Sequence, residues 1–382
     1  MRAIRLALAS CVVLVAAASV TVSAGVASKK AATPTTVTVA IGPYYDYQLI
    51  QVAKTLGLDR QLGLNIKLES FPGVPLRQLQ TGAIDVAYSC DSCFLATIKN
   101  FPTYRDIIAT NQFKGFVLVG RKGKVVAYST YVARAHGNLV AAKRSFIREQ
   151  VKGKTFAICN ATDLSTVQGL LSQGGLTTKD IKIINFADDG KSADAFVAGT
   201  GDFYTGSLPQ EARLLYSAEF KGQYVTAAPQ QAFGPGTQGG VLYSTFAATQ
   251  TWLNTHASVA AKLAAVWYRA VNYLNKKPSV VLPMIATAVK ESTGGVLPQD
   301  VTKAAMLSLN YFPTFNSART YVFGTGSATN FLTAARYQGA QAIAAKQIPA
   351  GTDLAPFQAE GQVYRQVSSD PALVKFINAP IK

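Results

Sequence analysis

Between Thr38 and Val119 the apolar residues switch repeatedly between two spacings. Thr38–Ile41 is a short β-rich run that stops at Gly42-Pro43. Ile50, Ala53 and Leu56 then fall on one face at helical spacing, which predicts a helix over Leu49–Leu58. Leu64, Ile66 and Leu68 alternate with polar residues, the pattern of a half-buried strand over Leu64–Ser70. Pro75–Thr81 reads as a short helix closed by Gly82, Ala83–Tyr88 as a strand, Asp91–Ile98 as a helix and Phe116–Val119 as a strand. Strands that alternate with helices predict parallel βαβ units.

The same order restarts farther on. Leu139–Gln150 reads as a helix, Thr155–Cys159 as a strand and Leu164–Leu171 as a helix that ends at Gly174-Gly175. Ile181–Ile184, Ser192–Val197 and Asp202–Thr205 follow as strand, helix and strand. From Phe246 the pattern is mostly helical. Val259, Leu263, Val266, Trp267, Ala270, Val271 and Leu274 form one stripe, with Lys262 and Arg269 off it. Pro278, Pro283 and Pro298 punctuate the helices beyond. Tyr311–Tyr337 is poorly periodic, and Asp370–Lys382 predicts a short helix and a tail.

The first residues follow a different logic. Arg2 and Arg5 precede an apolar run from Leu6 to Val22, and small residues crowd Ser23–Ser28. This is the pattern of a signal peptide over residues 1–28, cut after Ala24 or Ala27, with a polar linker over 29–36. An uncleaved anchor is the alternative. Leu8-Ala9-Ser10-Cys11 also matches a lipidation box at Cys11, although the apolar run continues beyond it. No later stretch has 18 consecutive apolar residues, so no further span is expected.

Export alters the meaning of the charge. The 382 residues carry 37 Lys+Arg against 20 Asp+Glu, a formal +17. Such an excess in a cytosolic chain suggests nucleic acid, whereas in a periplasmic or extracellular one it suggests a long-range field toward anionic surfaces. The expectation is therefore no nucleic-acid partner. The 49% hydrophobic and 15% charged content supports a large packed core. Two histidines make a His-rich metal centre hard to build, and no cofactor is expected.

Three segments carry a resemblance. Val52–Ser89 contains Leu56-Gly57, Gly63-Leu64, Phe71-Pro72-Gly73 and Gly82-Ala83-Ile84-Asp85-Val86. Val151–Phe186 opens with Lys152-Gly153-Lys154 and has Gly175-Leu176 before its second strand. Ala195–Leu214 repeats the Gly-x-x-Asp feature at Gly199–Asp202 and places Pro209 after the strand. In this order and spacing the chain resembles the solute-binding proteins of ABC importers, in the branch for nitrate, sulfonates, taurine and thiamine-precursor pyrimidines. The resemblance covers roughly Thr38–Tyr311. It implies a type II periplasmic-binding-protein-like α/β fold, with two lobes joined by two crossover strands and a ligand between them. Lobe 1 would be residues 36–120 plus 242–382, and lobe 2 residues 121–241. The implied function is capture of a small molecule by hinge closure and delivery to an ABC permease and its ATPase. The binding protein would act as a monomer and perform no catalysis.

The strand-end loops of such a fold line the cleft. In lobe 1 the candidates are Tyr44, Tyr45 and Asp46, then Phe71 and Gly73, then Ser89, Cys90 and Asp91. In lobe 2 they are Asn160, Thr162, Asp163 and Ser165, then Gly206, Ser207 and Pro209. Tyr44 or Tyr45 is equally suited to core packing, and Ser89, Asp91 and Asp163 to capping the next helix. If Asp91 and Asp163 face the cleft, they favour a planar or amine-containing ligand over a bare sulfonate-like anion.

Cys90 and Cys93 form a C-x-x-C that reads as a local disulfide in an exported chain, with Cys159 free. A thiolate site built from all three and plain free thiols are the alternatives. A rival function comes from the same fold. The pyrimidine-phosphate-synthase-like enzyme of thiamine biosynthesis has a cysteine-rich iron motif, which Cys90–Phe94 resembles faintly and without its consecutive cysteines. A secreted sensor or adhesin domain is the third class, because fold does not fix function.

Overall fold

Eleven strands among the described residues sort into two sheets. The computed structural model describes residues 33–381 except 72–73, 92, 96–97, 160, 207, 235–240, 294–297 and 345; for 161, 162, 165 and 291–293 it describes the backbone alone. The expected leader and the start of the linker lie outside that range.

The first sheet contains β1 (Thr35–Ile41), β2 (Leu64–Ser70), β3 (Val86–Cys90) and β4 (Tyr104–Phe113). The second contains β5 (Leu118–Arg121), β6 (Thr155–Ile158), β7 (Lys182–Asn185), β8 (Phe203–Tyr204) and β9 (Tyr224–Ala228). The chain then returns to the first sheet with β10 (Leu242–Thr249) and β11 (Asn310–Tyr311). The strand orders are β11-β4-β10-β3-β1-β2 and β7-β6-β8-β5-β9.

In the first sheet β1 pairs in parallel with β2 and β3, while β10 is antiparallel to β3 and β4. In the second, β6 is parallel to β7 and β8, and β5 is antiparallel to β8 and β9. The change of sheet falls between Phe113 and Leu118. Residues from Pro34 onward form one compact unit.

Both faces of the first sheet are buried, as helix-covered parallel strands require. Val37, Val39 and Ile41 pack into the main core, while Ala40 and Ala87 face a smaller cluster with Leu79, Phe94 and Ile348. The helix Ala257–Lys276 is the main buttress. Its predicted stripe is buried throughout, and the Trp267 indole donates to Thr110 O in β4 at 3.2 Å. The second sheet has its own cluster around Phe146, Phe156, Leu170 and Phe203. No helix among the described residues is long and apolar enough to cross a membrane.

Several elements depart from the sequence reading. β1 begins at Thr35, inside the expected linker, because Thr35 and Thr36 pair with Leu64 and Asn65. The expected helix over Asp91–Ile98 is replaced by turns among the described residues, where the Asp91 N–H donates to Tyr243 O and the Asp91 carboxylate accepts from Tyr243 N. The ten-residue β4 carries no apolar alternation, because Asp106, Thr110, Asn111 and Gln112 are buried along it. The mostly helical pattern read from Phe246 begins only at Gln250, since Leu242–Thr249 is a strand paired on both sides. Pro283 stands inside the helix Pro278–Thr293 at its sixth position, where it removes one i→i−4 hydrogen bond.

Candidate ligand site

The end of β1 shapes the first wall. Gly42 is required there by close approach: a Cβ would lie 2.7 Å from the Tyr88 ring and 2.8 Å from Tyr44. The Gln48 amide then holds the loop by donating to Gly42 O at 2.8 Å and Tyr44 O at 3.2 Å. A single 3₁₀ turn, Tyr45–Tyr47, follows. It sends Asp46 and Tyr47 into a cavity of about 390 Å³, which Tyr44 also lines.

Tyr45 turns the other way. It is fully buried, with its hydroxyl 3.4 Å from Thr302 on the helix Gln299–Leu307. The tight turn gives consecutive side chains opposite directions, so one of the two adjacent tyrosines packs in the core and lies outside the cavity.

Tyr44, Tyr47 and Tyr88 form a cluster with ring centroids 5.1 to 6.4 Å apart. Beneath them Asp46 accepts from Ser244 Oγ of β10. Asn111 supports Ser244 at 3.3 Å and bonds Asn310 at 2.6 Å. A row of neutral donors thus holds a buried carboxyl. Burial still dominates and pushes Asp46 up to about 6, against the lowering effect of those bonds.

The opposite wall comes from the second sheet. Asp163 stands in the first turn of the helix Ala161–Gln173, and its Oδ2 accepts from Cys159 N at 3.0 Å. The Tyr204 hydroxyl at the end of β8 donates to Asp189 Oδ1 at 2.6 Å. Gly206 follows, and a Cβ there would fall 2.1 Å from Asp189 Oδ1 and 2.2 Å from the Tyr204 hydroxyl. Its N–H donates to Glu211 at 3.2 Å, and Glu211 also accepts from Val117 N of the crossover at 3.3 Å. Burial first, then Asp189 and other neighbours, holds Glu211 well above its usual range. Phe113 and Phe116 line the cavity from the crossover, edge to face at 4.9 Å.

Tyr44 reports how close the two walls come. Its hydroxyl is pushed up to about 12, by burial first and then by Asp189, Asp46, Cys159 and Asp163. The Cys159, Asp163 and Asp189 donor atoms lie within 4.8 Å of one another, the one such grouping among the described residues able to offer a metal three ligands.

Of the residues singled out from sequence, the cavity brings together Tyr44, Asp46, Cys90, Asp163 and Gly206. Cys90 and Cys93 are joined in a disulfide that lies in its wall, and Cys159 is free. With that pair joined, a site of three thiolates is not formed.

Ser89 is turned into the core, its Oγ accepting from the Tyr104 hydroxyl and its carbonyl from Tyr47. Asp91 is buried against Tyr243 N at 3.2 Å and does not reach the cavity. Phe71 packs on the core beside Tyr88, whose hydroxyl donates to its carbonyl at 3.1 Å. Pro209 lies in the helix Leu208–Tyr216, of which Leu208 reaches the cavity. Gly73, Asn160 and Ser207, and the side chains of Thr162 and Ser165, lie outside the described residues.

The sequence reading missed Tyr47, Tyr88, Phe113, Leu242 and Ser244 as wall residues. Tyr47 sits three residues after Tyr44, one turn on, which was an available signal. The others come from strands whose neighbours are set only by sheet order.

Comparison with known proteins agrees with this architecture. The alkanesulfonate-binding protein SsuA of Xanthomonas axonopodis pv. citri, bound to MOPS, superposes with a TM-score of 0.58 at 17% identity, covering 86% of this chain and 99% of that one. The periplasmic aliphatic sulphonate binding protein SsuA of Escherichia coli gives 0.60 at 15%, with 87% and 100% covered. The periplasmic nitrate-binding protein NrtA of Synechocystis PCC 6803 gives 0.61 at 12%, with 91% of each covered. These likenesses establish the two-lobed periplasmic-binding-protein-like α/β fold. No curated protein sequence matches the chain. The sequence profile of the NMT1-like family matches residues 30–281, from the start of the fold through the long buttressing helix, and the chain belongs to that family.

Proposed function

We propose that the protein is an extracytoplasmic solute-binding protein of an ABC importer. It captures a small molecule between its two sheets and delivers it to a permease. The observation that carries this reading is the cavity of about 390 Å³, walled by strand-end residues of both sheets. Its volume suits a small solute. Residues 36–120 with 242–382, and 121–241, are the proposed lobes. Phe113–Leu118 connects the sheets and is the proposed hinge segment.

The apolar leader and the fold of the periplasmic relatives support export. The relatives reported above are binding proteins by name, which favours capture over catalysis. The test is a thermal-shift screen of the purified chain against small solutes, with small-angle scattering on any that bind. Expected is a rise in melting temperature by mass action together with a smaller radius of gyration. No shift with any solute would overturn the reading.

A further inference from the structure

We propose that the solute is a small organic cation, an ammonium or amidinium group on a compact apolar body, clasped between Asp46 of one wall and Asp163 of the other. This rests on the solute-binding reading and names its ligand class. The chain as a whole is strongly basic at +17, yet the described residues that line the cavity include two aspartates and no Lys, Arg or His. The internal segments outside the described residues contain no basic residue in their sequence, so they add none.

Asp46 and Asp163 are 4% and 2% exposed, so each carboxyl meets little water except through the cavity. A carboxylate oxygen of Asp189 lies within 4.8 Å of one of Asp163, and all three acids bear on the Tyr44 hydroxyl. An anion placed there would meet carboxylates in a poorly screened space. A cation would gain charge-assisted hydrogen bonds to them.

The apolar wall gives independent support. Tyr44, Tyr47 and Tyr88 lie together at centroid separations of 5.1 to 6.4 Å, and their ring faces attract positive charge as they cover an apolar body. The anions named for the structural relatives therefore do not transfer to this cleft, whose walls carry the opposite preference.

The experiment measures melting shifts and affinities of the unmodified full-length fold for four cations (benzamidine, agmatine, putrescine and choline), two anions (ethanesulfonate and nitrate), and Zn²⁺. Expected is binding of at least one cation and of neither anion. D163N and D46N, each neutral and able to keep its present hydrogen bond, are expected to weaken the bound cation tenfold or more. If D46N does not fold, D163N and the unmodified protein decide the matter. Binding of the anions alone, or of Zn²⁺ alone at the Cys159–Asp163–Asp189 grouping, would overturn the cation proposal and leave the solute-binding reading or a metal role standing. Unchanged cation affinity in both folded variants would also overturn it. No shift with these probes or with any screened solute would overturn both readings together.

Discussion

The Ser244 hydroxyl donates to the Asp46 carboxyl across 198 positions of chain. The bond joins the first strand-end loop to β10, the strand that brings the chain back from the second sheet. It holds an acid in a place where burial outweighs the bond, so Asp46 stays near 6.

That value fixes a pH dependence. In the unfolded chain Asp46 titrates near 3.8, and in the folded chain near 6. The folded state therefore holds the proton more tightly, and the cost of ionising Asp46 is absent below 3.8 and fully felt above 6. Relative to the native chain, D46N is expected to gain about 2 kcal/mol of stability between pH 4.5 and pH 8. Urea melts of both proteins at the two pH values check this, and a constant difference would contradict it. The same substitution removes a cleft carboxylate, so stability and ligand affinity are expected to move in opposite directions.

Asp106 and Glu360 form a second buried acidic pair, away from the cavity. Asp106 accepts from the Thr245 and Tyr104 hydroxyls at 2.5 and 2.8 Å, and burial pushes it up to about 7. Burial first, then Asp106, raises Glu360 well above its usual range, and its Oε2 has no partner. The stabilising neutral form of Asp106 persists at low pH and is lost as pH rises through about 7, and Glu360 is raised in the same direction. E360Q is expected to raise the melting temperature more at pH 8 than at pH 5, read by calorimetry. An equal effect at both pH values would show that Glu360 does not titrate there.

Gly206 is expected to tolerate no side chain. A methyl group would press on Asp189 and the Tyr204 hydroxyl, which sit at about 2 Å from its ideal position. G206A is expected to cost about 1–3 kcal/mol, typical of overpacking, and to abolish ligand-induced stabilisation. Chemical denaturation with and without ligand separates the two effects. A variant with native stability and response would mean that the loop relaxes freely.

The Cys90–Cys93 disulfide closes a very short loop in the cavity wall. Its contribution through chain entropy is modest, about 2 kcal/mol. C90S/C93S is expected to lower stability by about that amount and to weaken ligand binding, because the wall loses its cross-link. Unchanged affinity in the folded double variant would limit the bond to a structural role.

What the sequence determined by itself follows from local periodicity. Alternation over Leu64–Ser70 and the stripe from Val259 to Leu274 each report one buried face, so strand, helix and α/β class were legible. The polar strand-end loops were legible as a class for a related reason, since α/β sheets place their ligands there. Asp163 and Gly206 came from that rule.

β4 escaped it. Asp106, Thr110 and Asn111 are buried and satisfied by Thr245, Ser244, Asn310 and Gln358. Partners from so far along the chain leave no trace in local pattern, so a strand with a wet-looking sequence became an inner strand of the first sheet, between β10 and β11. The same reason separates the two adjacent tyrosines. Their chemistry is alike, and only the turn that sends Tyr45 toward Thr302 leaves Tyr44 to the cleft. The sign of the cleft was likewise a tertiary matter. Composition reports +17, but packing decides which charges are turned inward, and here it turned in the carboxylates of Asp46 and Asp163.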